Sequence, residues 1–510
     1  VLDAGTRAQV WSGVLLPARR WKPSGETVRL ADFSALRTAG EYVVRVLGQT
    51  SYRFTIDAGV YDELVAVSLK SFYFNRAGQT LEERHAGPWA RAMGHPDERI
   101  LFHPSAQDER RDANAAVASP KGWYDAGDFN KYVVNSGIAT YTLLAAYEHF
   151  PKAFNQLQLN IPESGGVLPD ILDEVLWNLD WLETMQDGAD GGVYHKLTTL
   201  EFAPVIMPDQ AREPRYMVAK STDAALNFAA VMAAAARIFQ PFDDGNAQRY
   251  REAAIRAWRW ARQNPNRRYA QPADVSTGTY TRPGLSDEWV WAGAELFLLT
   301  GEADYLQPWE DSPSELSTPD WSDVGTLGWV SMANHLDQLS DFQSARVRDA
   351  ISQYAVTLQS GQRQSAYGIT YGSHARDFQW GGNSVALNQA LLAVQAYRLD
   401  QKPALLALAQ GNLNYVLGQN ALGLSFVTGI GSNTPQNIHH RASAADGVAE
   451  PVPGLLAGGP NTNGKDQCQY PSVQPALAYL DDFCSYTTNE IAINWTAPLV
   501  YVSAAIQSLN

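Results

Sequence analysis

The sequence predicts a mainly α protein preceded by a small β-rich module. Three observations predict it. Residues 1 to about 57 carry short β-branched and aromatic runs between turn residues. From about residue 60 the apolar residues take up helical spacing. Gly-rich loops then punctuate the helical segments to the end of the chain, as in a helical toroid whose loops carry the site. The switch of pattern near 57–60 sets the boundary, giving a sandwich domain over 1–57 and a helical domain over 60–510.

In the first region, Tyr42-Val43-Val44-Arg45-Val46-Leu47 and Ser51-Tyr52-Arg53-Phe54-Thr55-Ile56 flank Gly48-Gln49-Thr50, and Val10-Trp11 and Thr27-Val28-Arg29-Leu30 supply further strand candidates. In the second, Leu172, Val175, Leu176, Leu179 and Leu182 keep one helical face. Residues 222–239 are Ala-rich, with Ser221 or Thr222 placed to cap their start. Further helices are expected over 250–263, 288–299, 345–358, 384–399, 403–417 and 490–508. Between them lie Gly-rich loops at 187–192, 372, 381–382, 429–431 and 454–464.

Composition narrows the function. A net charge of −15 argues against nucleic acid, whose phosphates require a basic surface. No apolar run reaches the roughly 20 residues of a membrane span. A neutral polymer suits the charge, and 15 Trp and 23 Tyr supply flat rings for core or for ligand. The two cysteines, Cys468 and Cys484, either pair or stay free, and their place on either side of one loop before Glu490 leans toward a disulfide. They are too few for a zinc site built on cysteine alone.

Two acidic motifs stand out. Gly122-Trp123-Tyr124-Asp125-Ala126-Gly127-Asp128 puts two carboxylates three residues apart. On a tight turn both can face one side, raising the pKa of one. Asp128 could instead cap the helix that follows. Far along the chain, Tyr486-Thr487-Thr488-Asn489-Glu490-Ile491-Ala492-Ile493-Asn494-Trp495 sets a lone glutamate among aromatics. Such surroundings keep a carboxyl protonated, as a general acid needs. Its plain alternative is a first-turn helix stabiliser. A carboxylate that activates water and a carboxyl that protonates the leaving oxygen together make a glycosidase. Asn437-Ile438-His439-His440-Arg441 adds hydrogen-bond donors. Gly429-Ile430-Gly431 lacks the strand–helix context of a dinucleotide loop. Asp287 and Glu288 are adjacent oxygen ligands suited to Ca²⁺, or simply a solvated helix start.

Taken together these motifs resemble glycoside hydrolase family 9, a cellulase family with an (α/α)6 barrel, often preceded by an immunoglobulin-like domain. The resemblance covers nearly the whole chain. Asp125-Ala126-Gly127-Asp128 looks like the family's base motif, residues 425–441 match its histidine signature, and residues 479–497 match its acidic signature through Asp481, Tyr486, Glu490 and Ala492. Thr496 departs, standing where the signature has Asn. The resemblance implies an inverting hydrolase of β-1,4-glucosidic bonds, with Asp128 as general base, Asp125 holding the water and Glu490 as general acid. It makes His439 and Arg441 substrate ligands and Trp380, in Trp380-Gly381-Gly382-Asn383, a stacking platform. Tyr486, Trp123 and Tyr124 are further platform candidates. It implies a Ca²⁺ site from Asp287 and Glu288, completed by Asp323. The family's zinc ligands are not expected, because Ala92-Met93-Gly94-His95-Pro96 and His103 come without cysteine.

The resulting expectation is a secreted or periplasmic, monomeric endo-β-1,4-glucanase acting on a polysaccharide or oligosaccharide. An exo-acting cellodextrinase, β-glucosidase or glucosaminidase is the nearest rival, since stretches 96–118 and 455–478 could block one end of a cleft. A non-catalytic polysaccharide-binding protein is the rival from another class.

Overall fold

The computed structural model describes residues 1–373, 377–462, 464 and 466–509. Twelve helices organise it. In chain order they are α1 (Asp62–Phe74), α2 (Val133–His149), α3 (Asp170–Met185), α4 (Thr222–Phe239), α5 (Asp244–Gln263), α6 (Ser286–Thr300), α7 (Gln307–Glu310), α8 (Gly325–Asn334), α9 (Asp341–Gln364), α10 (Gly382–Asp400), α11 (Pro403–Val416) and α12 (Ile493–Leu509). The even-numbered helices form a closed inner ring in which α2 packs on α4, α4 on α6, α6 on α8, α8 on α10, α10 on α12, and α12 again on α2. The odd-numbered helices lie outside, α1 on α12, α3 on α2, α5 on α4, α7 on α6, and α9 and α11 on α10.

The sequence explains which helix goes where. Every residue of α4 is buried except Arg237, and α12 is buried through Ile506. Helices apolar all round belong in a core. By length and hydropathy α4 could cross a membrane, yet it is packed inside the protein. The outer α5 buries one side only, through Ala247, Tyr250, Ala253, Ala254, Ala257, Trp258, Trp260 and Ala261. Ser221 caps α4, its hydroxyl accepting the Ala224 amide.

The N-terminal strands are shorter than the sequence suggests. Leu2–Asp3, Gly40–Val43 and Phe54–Ile56 form an antiparallel sheet, with two-residue pairs Arg19–Arg20/Thr27–Val28 and Arg45–Val46/Gln49–Thr50 beside it, while Val10-Trp11 joins no named strand. Trp21 leaves this region to pack edge-on against Tyr367 and Phe378, 4.8 and 6.0 Å between ring centres. Within the barrel's loops a five-stranded sheet orders Lys131–Tyr132, Lys196–Thr198, Tyr216–Met217, Ile100–Phe102 and Ala116–Val117. The stretch 96–118 is therefore part of this sheet. Asn463 and Lys465 of the stretch 455–478 lie outside the described residues.

Candidate active site

The closing seam of the ring, α12 against α2, assembles the acidic motifs. Asp125 and Asp128 lie in the loop before α2, and the Ile493 amide at the start of α12 donates to the Asp125 carbonyl at 2.9 Å. Asp125 Oδ1 accepts from Asn135 Nδ2 and its Oδ2 from the Tyr280 hydroxyl, each at 2.6 Å. Asp128 Oδ2 accepts from the Asn130 amide (3.2 Å), Asn130 Nδ2 (2.6 Å) and the Tyr132 hydroxyl (3.1 Å). Asp128 therefore does not cap α2, whose N-cap Tyr132 carries no side-chain cap bond. Burial, then the charge of Asp128, pushes Asp125 up to about 8, while Tyr280 and Asn135 pull it down. The pair divides its work accordingly, with Asp125 carrying a proton at neutral pH and three donors converging on Asp128.

Glu490 sits three residues ahead of α12 in extended backbone, so it is not a first-turn residue. It pairs in a parallel bridge with His439. Burial, then Asp128 and Asp125, raise its pKa well above the usual carboxyl value, against the pull of Arg441 and the Gly127 amide. Gly127 makes this meeting possible. A Cβ there would lie 2.3 Å from the His439 carbonyl oxygen and 3.2 Å from Glu490 Oε1. The base loop thus passes against the acid with no room for a side chain. Among the described residues neither Asp125 nor Asp128 hydrogen-bonds to Glu490.

His439 Nδ1 faces the Phe483 carbonyl at 2.6 Å, so Nδ1 carries the proton and Nε2 remains for a ligand. Arg441 Nη1 donates to the Gly127 carbonyl (2.8 Å) and Nε to that of Ala203 (2.7 Å). Asp481 joins the two signatures, accepting from the amides of Gln436 and Asn437 and from Asn489 Nδ2. Thr496 is accommodated: its hydroxyl meets the Ala492 carbonyl and the Leu456 amide, each at 3.4 Å.

Trp380 is 50% exposed and tilts against Tyr486, 5.4 Å away, and Tyr486 in turn lies 5.9 Å from His439. These two line the site. Trp123 and Tyr124 do not. Trp123 is 1% exposed with Nε1 donating to Glu174 Oε1, and Tyr124 is 2% exposed with its hydroxyl on His95 Nδ1. Both brace the loop from behind and are withdrawn as substrate platforms. Sequence reasoning missed Tyr280, Tyr132, Asn130 and Asn135, and also Trp321, which meets Tyr280 edge-on at 5.0 Å. One signal was available for Asn130 and Tyr132, since they follow the DAGD run directly. Tyr280 has φ 45°, a left-handed conformation rare for an aromatic residue and frequent at functional sites.

Asp287 and Glu288 open α6. Asp287 Oδ1 and Glu288 Oε2 are buried without a hydrogen-bond partner, and burial, then the contact with Asp287, pushes Glu288 up to about 10. Asp323 is turned to the Ser317 hydroxyl, 2.8 Å away. Among the described residues no three or more His, Cys, Asp or Glu side chains surround a metal position, so the expected trio is reduced to a pair. Cys468 and Cys484 form a disulfide beside Tyr486.

A helical toroid that sets two aspartates of one loop against a glutamate of raised pKa at its mouth defines a glycoside hydrolase. The comparisons with known proteins carry this further. Residues 61–503 match the model of glycosyl hydrolase family 9 and residues 1–51 that of the cellulase N-terminal immunoglobulin-like domain, and the chain belongs to that family. It is 39% identical to a xyloglucan-specific endo-β-1,4-glucanase of Bacteroides ovatus, over 100% of this chain and 89% of that one. It is 33% identical to endoglucanase D of Acetivibrio thermocellus, over 95% and 76%. A solved family 9 structure from Bacteroides ovatus superposes with a TM-score of 0.94 at 38% identity, covering 100% and 94%. The fold is the (α/α)6 barrel with its immunoglobulin-like region.

Proposed function

We propose that the protein cleaves β-1,4-glucan chains with inversion, Asp128 taking a proton from the water that attacks the anomeric carbon while Glu490 gives its proton to the departing oxygen. Asp125 holds that water, and His439 and Arg441 bind sugar beside the broken bond. The chain is an endo-β-1,4-glucanase, as its kinship with the two named endoglucanases supports. The observation that carries the residue roles is the close pass of the base loop over Glu490 at Gly127. Hydrolysis of cellohexaose and carboxymethylcellulose, with proton NMR of the fresh anomers, tests it. Mid-chain cleavage to α-anomers is expected. Glucose released singly from one end would make the enzyme exo-acting, and β-anomers would remove the inverting roles.

Branched xyloglucan is the favoured polymer. The Bacteroides ovatus relative supports this, and so does a cavity of about 820 Å³ between α9, α10 and the 317–323 loop. Ser317, Asp320, Thr357 and Gln389 give it a polar lining suited to a side-chain sugar. Higher kcat/KM on xyloglucan than on carboxymethylcellulose is expected, and the reverse order would exclude it.

The Asp287–Glu288 pair suits a hard dication such as Ca²⁺, since two orphaned carboxylate oxygens would gain a partner. A chelator should then lower the melting temperature of the wild type and leave Glu288→Gln unmoved. The protein works as a monomer outside the cytoplasm, in keeping with its disulfide.

A further inference from the structure

Lys196 is a buried cation with no counter-ion beside it. It sits in the five-stranded sheet, in register with Tyr132 on the neighbouring strand. Its side chain is 0% exposed. Nζ donates to three uncharged oxygens, the Gly278 carbonyl at 2.7 Å, Thr277 Oγ1 at 2.9 Å and Gln271 Oε1 at 3.1 Å. The rings of Tyr132 and Tyr269 lie 5.5 and 5.6 Å from it. The other buried lysines behave differently. Lys131 pairs with Asp97 at 2.8 Å, and Lys220 with Asp187 and Asp190. Among the described residues no carboxylate reaches Lys196 within ion-pair distance. A buried charge held only by neutral dipoles is costly unless a more distant charge compensates it.

One carboxylate does compensate. Gly278, whose carbonyl receives Lys196, donates its amide to the Tyr132 hydroxyl at 3.2 Å. That hydroxyl donates to Asp128 Oδ2 at 3.1 Å. Gly278 thus links the ammonium to the carboxylate, its carbonyl on the lysine side and its amide on the Tyr132 side, joined through its Cα. We propose that Lys196 is a positioning residue for the base, its charge acting through Gly278 and Tyr132 to hold Asp128 ionised and aimed beside Asp125 and Glu490. The proposal rests on Asp128 being the base.

The electrostatic surroundings agree. Burial pulls Lys196 down to about 7 and Asp128 alone among charged groups pulls it back. Tyr132 and Tyr269 are the titratable groups on its flanks. Behind Tyr269 stands His195, stacked on that ring at 4.0 Å, with Asp223 beside it. Beyond Tyr132 stand Tyr280, Asp125 and Glu490. The lysine is charged below about pH 7, and a positive charge so placed favours the ionised form of a nearby carboxyl. Its removal makes that ionisation harder.

The test is the pH profile of kcat/KM on a soluble cello-oligosaccharide, whose acid limb reports the base of the free enzyme. In Lys196→Met the acid limb should move up by about one pH unit. At pH values below both midpoints activity should fall about tenfold while the plateau falls less. Lys196→Arg should keep the wild-type limb. Tyr132→Phe leaves the lysine in place and cuts this link, so it should displace the limb in the same direction even if Lys196→Met does not fold. An unmoved limb in Tyr132→Phe, or in a folded Lys196→Met that has lost only thermal stability, overturns the proposal. Asp128→Asn is measured alongside. If it stays active, the base assignment itself has failed, an outcome distinct from a failure at Lys196.

Discussion

Gly127→Ala isolates the geometry of the site from its chemistry. Gly127 does not occupy the left-handed region, so alanine is compatible with its backbone and only space is at issue. The added Cβ would stand 2.3 Å from the His439 carbonyl oxygen and 2.8 Å from His439 Cδ2. An ordinary contact begins near 3.4 Å. Base loop and histidine strand must then part by about 1 Å, since the first of these obstacles is backbone. A displacement of about 1 Å in a catalytic group costs roughly 100-fold in rate. Overpacking at one methyl costs roughly 1–3 kcal/mol of stability. The variant should therefore keep a cooperative melt a few degrees lower and lose about 100-fold in kcat on a soluble oligosaccharide, every carboxylate being intact. A kcat within threefold of wild type would refute the claim that the close pass at Gly127 sets the site.

Other perturbations have equally definite outcomes. Glu490→Gln should lose 100-fold or more in kcat, together with the alkaline limb of the pH profile, because the active form is the protonated acid and is lost as pH rises through its raised pKa; a loss under tenfold contradicts the acid role. The same shift opposes folding. Since Glu490 binds its proton more tightly folded than unfolded, its contribution is lost as pH rises from 4.5, so Glu490→Gln should melt higher than wild type at pH 8 and level with it at pH 4; equal melts at both pH values would deny the shift. Trp380→Ala removes an exposed ring and should raise KM about tenfold, with kcat little changed; an unchanged KM places the sugar elsewhere. Trp21→Ala empties a contact with Tyr367 and Phe378 and should cost about 3–5 kcal/mol in denaturation. Its ratio of polymer to oligosaccharide activity should stay that of wild type, and a selective loss on polymer would instead make the N-terminal domain a binding module.

What could be read in advance depended on how local the cause was. The helix over 222–239 and its Ser221 cap were legible because a cap and an Ala-rich run are properties of neighbouring residues. The five-stranded sheet was not, because strands of two or three residues show no period. Asp125, Asp128 and Glu490 carried a family pattern. The groups that tune them came from far away: Tyr280 reaches Asp125 across 155 residues, and Lys196 reaches the base only through Tyr132 and Gly278. Trp123 and Tyr124 misled for the same reason. An aromatic beside a catalytic motif suggests a platform, yet its exposure was decided by Glu174 on α3 and by His95.

The site is also the seam of the ring. Acid and base lie 362 residues apart, yet α12 and α2 are adjacent because the inner ring closes there. The hydrogen bond from the Ile493 amide to the Asp125 carbonyl stitches the start of the last inner helix to the loop before the first. The Arg441 amide adds a second stitch at the Gly127 carbonyl, 3.1 Å away. Neither carboxylate can be placed until every intervening helix pair is in position, so catalysis requires the whole closed ring. A seam that parts by local opening leaves five of the six inner contacts intact. Activity should therefore disappear at lower denaturant than the far-UV helical signal, and coincident transitions would mean that seam and ring unfold as one unit.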